Sequence, residues 1–360
     1  MRFRYIPFII AVGMAILIRP VTVRAGVISW KSAASGNWSD KTKWDSGTVP
    51  GPGDDANITV AGTYTVTLDA HSEIASLTLG GSTGTQTLSN AQFNLTLDGD
   101  STIGARGVYT HGGGTLAGAG TLTVDGALNM NGGTLSGAGA TNIAAGGTFS
   151  IGGTMNILQS INNAGTATWG SGGINCGNGA IVTNQSGGVF SIQSDQFWGP
   201  FGGQACQFVN ASGGTVSKTS TGGTTTFSNI PFGNSGAVTV STGVLLLGGG
   251  GTSSGSVNVA TGARVEFNAG TYTLNAGAAF TGAGTMRVSG ATLTVAGDAG
   301  VTNLEMTAGT LNGGANLTVS GSCAWSGGTM SGTGLTIIPM GATLTISGSV
   351  NLSRSLHSAG

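Results

Sequence analysis

Apolar and polar residues alternate along this chain in short bursts. Tyr64-Thr65-Val66-Thr67-Leu68 places apolar side chains on one side and threonines on the other. Leu95-Thr96-Leu97, Leu122-Thr123-Val124, Tyr272-Thr273-Leu274 and Leu293-Thr294-Val295 do the same. A period of two over three to five residues predicts half-buried β-strands. After residue 25 no stretch carries a convincing 3.6-residue stripe, so the pattern predicts an all-β protein. Glycine-rich runs separate the bursts and supply the corners.

The bursts repeat on a long scale. Residues 132–165 and 327–360 align without a gap at an offset of 195, with 16 of 34 positions identical. Gly132, Gly133, Gly137, Gly139 and Gly146 meet Gly327, Gly328, Gly332, Gly334 and Gly341. Leu135, Ile143, Phe149 and Ile151 meet Met330, Ile338, Leu344 and Ile346. A single turn of short strands cannot bury its inward face, but stacked turns can. The repeat therefore predicts a parallel, right-handed β-helix or β-solenoid, with about 20–25 residues per turn and a body on the order of 50–60 Å long.

The two ends differ. Residues 1–25 have an arginine-bearing start, an apolar run from Ile6 to Ile18 and small residues before Gly26, the pattern of a secretory signal peptide. The run is shorter than the roughly 20 residues that span a bilayer. Cleavage after Ala25 leaves 335 residues, with no later transmembrane stretch. Residues 26–60 then carry Trp30, Trp38 and Trp44, half of the six tryptophans. We read this block as an N-terminal cap with its first strands, since a terminal turn exposes apolar interior and unpaired backbone. A carbohydrate-stacking platform is the alternative use of the three rings. The solenoid proper is placed at 61–360. Gly360 falls at the phase of Gly165, so the chain is expected to stop inside a repeat, without a matching C-terminal cap.

Composition narrows the function. Charged residues are 7% of the chain, against roughly 25% in ordinary globular proteins. Glycine is 69 of 360 residues, without the three-residue period of collagen. Without its four N-terminal arginines the chain keeps 8 basic and 13 acidic residues, a net charge of −5. No clustered basic footprint points to nucleic acid.

Little chemistry is legible. No nucleophile-elbow, phosphate-loop or zinc-protease motif occurs, and His71, His111 and His357 lack partners at metal-ligand spacing. No catalytic residue, cofactor site or metal site is therefore assigned. Asp54-Asp55 and Asp98 with Asp100 could hold a weak structural calcium, although Asp beside Gly is also ordinary turn chemistry. Between Gly126 and Gly262 the only charged residues are Asp195 and Lys218; farther on, Arg264 and Glu266 share one strand face and suggest a surface ion pair. Cys323 aligns with Leu128 and is expected to fill an apolar site. Cys176 and Cys206 would pair in an oxidising compartment, and the sequence is compatible with both the paired and the free state. Between these two cysteines, Phe197, Trp198 and Phe201 interrupt the strand pattern and suggest a protruding binding loop. The other reading packs these aromatics over the edge of a turn.

Gly36-Asn37-Trp38-Ser39, Trp44, Val49-Pro50-Gly51-Pro52-Gly53-Asp54 and Val66-Thr67-Leu68-Asp69 resemble the opening of large secreted β-helix repeat proteins of environmental bacteria. Those proteins are similar in architecture to autotransporter passenger domains. The segments 132–139 and 327–334, and Gly249 to Gly255, resemble their repeats, and the opening also resembles the G8 module of extracellular proteins. The resemblance implies a secreted or cell-surface, non-catalytic scaffold for adhesion or matrix, with glycans or other surface proteins as partners. The competing expectation is a polysaccharide lyase or glycosidase on the same fold, which needs carboxylates meeting across turns. A third is an ice-binding surface, prompted by Thr-x-Thr at 65–67, 121–123, 166–168, 271–273, 292–294 and 343–345. Their unequal spacing argues against a flat array.

Overall fold

The computed structural model describes residues 26–202, 205–219 and 222–359. The signal peptide expected at 1–25 lies outside them. The fold is the expected β-solenoid: short strands pair in parallel ladders, and one 3-10 turn, Lys41–Lys43, is the sole helical element among these residues. Three strands make each turn, one on each of three walls. The first wall is a 16-stranded sheet running from Val27–Ser29 to Asn351–Leu352. At about 4.8 Å per step it extends about 70 Å. That is longer than expected, because strands from 26–60 already belong to it: Val27–Ser29 pairs with Asp55–Ile58, which pairs with Ser76–Leu79.

The second wall runs from Gly36–Asn37 through Tyr64–Leu68 to Ser355–Ser358. The third runs from Ser72–Ile74 to Thr343–Ile346. These two join as one 28-stranded sheet because Ala299–Met306 and Leu317–Trp325 turn the corner without a break. Alternation does the sorting. In Leu122–Val124, Leu122 and Val124 face inward and Thr123 outward, and the inward residues of all three walls form one continuous core.

The 195-residue repeat does not return to the same wall. Leu122–Val124 lies on the first wall, whereas its counterpart Leu317–Val319 lies on the second. Thr148–Ile151 lies on the second and its counterpart Thr343–Ile346 on the third. The offset spans nine turns and one wall, or about 21 residues per turn. What repeats is therefore the strand with its corner. The three walls offer equivalent environments: an apolar interior, a polar outside and a ladder above and below.

The repeated glycines are explained at the corners. Gly137 has φ +119° and its counterpart Gly332 has φ +93°. A Cβ on Gly137 would run into the carbonyl of Gly118 in the turn beneath, and one on Gly332 into that of Gly313. Backbone stacks directly on backbone there, which only glycine allows.

The three tryptophans near the N-terminus are buried and packed edge to face. Trp30 and Trp38 lie 5.0 and 4.9 Å from Trp44. The Trp44 indole N–H donates to the Trp38 carbonyl at 2.8 Å, and that of Trp30 to the Ala34 carbonyl at 3.1 Å. No ring is free to carry a sugar, so the stacking-platform alternative is excluded by burial. In the last described turn Ile346 and Leu352 are half exposed, since no described turn lies over them. Arg354 is buried beside them and donates to the carbonyls of Gly313 and Ala315 and to the Thr336 hydroxyl.

The interior also holds polar ladders that pattern reading missed. Asn163, Asn184, Asn210 and Asn234 stack in register and are buried. Each side-chain amide donates to the next carbonyl oxygen, at 2.8, 2.8 and 2.9 Å. Elsewhere Tyr109, His111 and Asn90 form a buried triangle, with the Tyr109 hydroxyl 3.0 Å and the Asn90 amide 3.1 Å from His111 Nδ1. Burial holds the His111 pKa below its ordinary value, outweighing the contact to the Gly114 carbonyl. The unfolded chain therefore takes up this proton more readily. Stability should be whole above about pH 6.5 and fall as the pH drops below it. We expect the melting temperature to fall less between pH 7.5 and 5 in His111→Gln than in the parent; equal falls would show that this histidine does not set the acid response.

Candidate functional site

The third wall carries the unusual side chains. Phe197–Pro200 is one of its strands and not a protruding loop. Trp198 pairs with Ile174 below and Phe227 above in the inward row and is 0% exposed. It stacks on Phe227 at 5.3 Å and meets Phe208 at 5.6 Å and Trp169 at 5.9 Å. The expectation that Trp198 belongs to a projecting binding loop is therefore corrected: the two-residue alternation continues through it and turns it inward. Phe197 and Phe201 do face solvent, at 48% and 43% exposed. Gly199 and Pro200 resemble a turn in sequence, yet Pro200 sits opposite Cys176 where the ladder to the next turn has ended.

Cys176 and Cys206 are bonded, with Cα atoms 5.9 Å apart, inside the range a disulfide requires. The Trp198 indole N–H donates to Cys176 Sγ at 2.9 Å. Cys323 is free and buried in the apolar row, where desolvation pushes its thiol up to about 11.

The lone charges of the middle region meet. Lys218 points inward, fully buried, and its ammonium donates to Asp195 Oδ1 at 2.7 Å. Asp195 Oδ2 accepts from the Gly223 N–H at 2.9 Å. A buried ammonium needs such a partner, and Asp195 supplies it with a side chain that still reaches solvent.

Farther along, charges gather on the outside. Leu246, Glu266, Arg287 and Glu305 occupy successive positions of one outward row. Arg264 Nε lies 3.2 Å from Glu266 and Arg287 Nε 3.7 Å from Glu305. The Ser289 hydroxyl donates to Glu266 at 2.6 Å. A shallow cleft of about 380 Å³ beside this row is lined by Thr242, Val244, Arg264, Thr285 and Glu305, among others. The ion pair read from Arg264 and Glu266 is present. The cross-turn partners Arg287 and Glu305 were not legible, because 21 and 18 residues separate the successive members.

Three of the four acidic side chains weighed for calcium accept hydrogen bonds within the protein. Asp54 accepts from the Gly51 N–H, Asp55 from the Ser76 hydroxyl and Asp100 from the Thr121 N–H. Among the described residues no three His, Cys, Asp or Glu side chains converge. His71 accepts from the Asn94 N–H and lines a separate cleft of about 370 Å³ with Trp38, Pro50, Pro52 and Glu73.

The first wall is different in kind. Its outward row runs Ser29, Asn57, Thr78, Thr102, Thr123, Asn142, Asn162, Thr183, Val209, Gly233, Thr252, Thr273, Thr294 and Asn312, in register throughout and without a charge. The Thr-x-Thr pairs are scattered by wall and not by their sequence spacing. Thr271 and Thr273 stand in register with Thr292 and Thr294 on the first wall, whereas 65–67 and 166–168 lie on the second and 343–345 on the third. Corners of unequal length absorb the differences in spacing. Comparison of the chain with protein-family models, curated proteins and solved structures finds no match.

Proposed function

We propose that the chain is a non-catalytic scaffold, secreted or held at the cell surface, that contacts glycans or neighbouring surface proteins through its outer walls. The observation that carries this reading is the uncharged first-wall row, fourteen positions long with twelve hydroxyl or amide side chains. Such a row offers hydrogen bonds at a fixed step of about 4.8 Å. It has neither the charge that steers nucleic acid nor a contiguous apolar patch of the kind that buries protein. The signal-like N-terminus and the resemblance to surface β-helix proteins point the same way. Retention of residues 26–360 on a panel of insoluble polysaccharides tests it. Retention by at least one, with no new reducing ends, is expected; no retention by any would remove glycans as the partner.

One observation favours the second reading, a polysaccharide-active enzyme: Glu266 and Glu305 share a row beside a cleft. Hydrolysis needs carboxyl groups about 5.5 Å apart for retention or about 6.5–9.5 Å for inversion. Here the two strand positions are two steps apart, about 9.6 Å along the wall, with Arg287 between them and an arginine against each carboxylate. That arrangement supports a wall-stiffening role over acid–base work. Sugar release by the parent that disappears in Glu305→Gln would reverse the preference.

A further inference from the structure

On the third wall Phe197 exposes an aromatic ring. A Cβ on Gly173 would meet Phe197 Cε1 at 2.8 Å, and one on Gly199 would meet its Cδ2 at 3.5 Å. The ring therefore occupies space left by two positions that lack side chains, and it is 48% exposed.

Unspent hydrogen-bonding groups flank it. The outward row through Gly199 runs Thr134, Asn156, Asn175, Gly199. Asn156 donates to the Thr134 hydroxyl at 3.0 Å and Asn175 to Asn156 Oδ1 at 3.1 Å. The ladder stops there, because the next residue is glycine. Among the described residues no hydrogen bond reaches the Asn175 side-chain Oδ1 or the hydroxyl of Thr226, which lies directly above Phe197. The nearby Asp195 is held by Lys218 at 2.7 Å. An exposed aromatic ring bordered by an amide oxygen and a hydroxyl, with the adjacent charge paired, matches one class of ligand. A neutral pyranose has an apolar C–H face and a rim of hydroxyls.

We propose that Phe197, Asn175 and Thr226 form a subsite for a neutral pyranose unit, the sugar stacking on the ring and its hydroxyls reaching the two polar groups. This rests on the glycan-binding scaffold reading. It differs from the sequence expectation in dispensing with Trp198 and in placing the ligand on a rigid wall.

Isothermal titration of residues 26–360 with neutral oligosaccharides of several linkages, and with oligouronides, tests the subsite. The parent, Phe197→Ala, Asn175→Ala and Phe201→Ala would be compared, with melting temperatures as the check on folding. We expect a neutral oligosaccharide to bind the parent, to bind Phe197→Ala at least about tenfold more weakly, to lose severalfold in Asn175→Ala and to be unaffected by Phe201→Ala. Parent-like binding by Phe197→Ala would overturn the subsite and leave the scaffold reading intact. Binding of oligouronides alone would overturn the ligand class. Failure of the parent to bind any glycan would overturn the subsite and remove glycans as the scaffold's partner.

Discussion

Trp198→Ala should lower stability by about 3–5 kcal/mol, the usual cost of emptying a buried tryptophan site, while Phe197→Ala one residue away should cost less than about 1 kcal/mol. The contrast follows from alternation. Trp198 fills the interior among Trp169, Phe190, Phe208 and Phe227, with ring centroids 5.3 to 6.1 Å away. Its indole N–H is bound to Cys176 Sγ, so truncation also disturbs the packing of the disulfide. A solenoid passes strain mainly to adjacent turns. Hydrogen exchange should therefore accelerate first in the strands Ile174–Cys176 and Thr224–Phe227, which pair with this one. The urea midpoint measures the global part of the effect. Equal losses from both alanine variants would mean that the strand is not in the assigned register.

Asn184→Leu should cost a comparable amount, about 3–5 kcal/mol, although it makes the core more apolar. The Asn184 amide donates to Asn210 Oδ1 and to the carbonyls of Gly188 and Thr215, and its own Oδ1 accepts from Asn163. Leucine leaves those buried partners unsatisfied, at about 1–3 kcal/mol each, partly relieved by local movement. The ladder's lower end shows where such a column can start. Asn163 stacks on Ile143, and its Oδ1 has no donor. The same exchange at Asn163 should cost less, because fewer partners depend on it. Urea midpoints of the two variants, compared in one buffer, check the ranking; a larger loss at Asn163 would contradict it.

Much of this architecture was legible because strands of three to five residues announce themselves by alternation and corners by glycine. Val124 inward, Thr123 outward and Leu122 inward could be read from three letters. The wall to which a strand belongs could not. Corner lengths vary, and only the ladders reveal that 195 residues amount to nine turns and one wall. The same variation hid the outward row of Glu266, Arg287 and Glu305. It also made the threonine pairs look irregular when Thr273 and Thr294 are in register. Trp198 was misplaced for a local reason: glycine and proline behind an aromatic pair imitate a turn, yet here they occupy a strand end. The buried asparagines did leave a signal. Asn163, Asn184, Asn210 and Asn234 each fall at an inward phase of the alternation and precede a glycine by two or three residues. A polar residue in an apolar phase, recurring once per turn, is what an interior ladder requires.

The central claim is that the walls hold glycans without cutting them. The most direct test incubates purified residues 26–360 with each polysaccharide that retains it, to an extended endpoint, and measures bound protein and reducing ends in the same tubes. The account predicts bound protein with reducing ends no higher than in a protein-free control. A steady rise in reducing ends that Glu266→Gln or Glu305→Gln abolishes would contradict it and make the charged row of the third wall an active site.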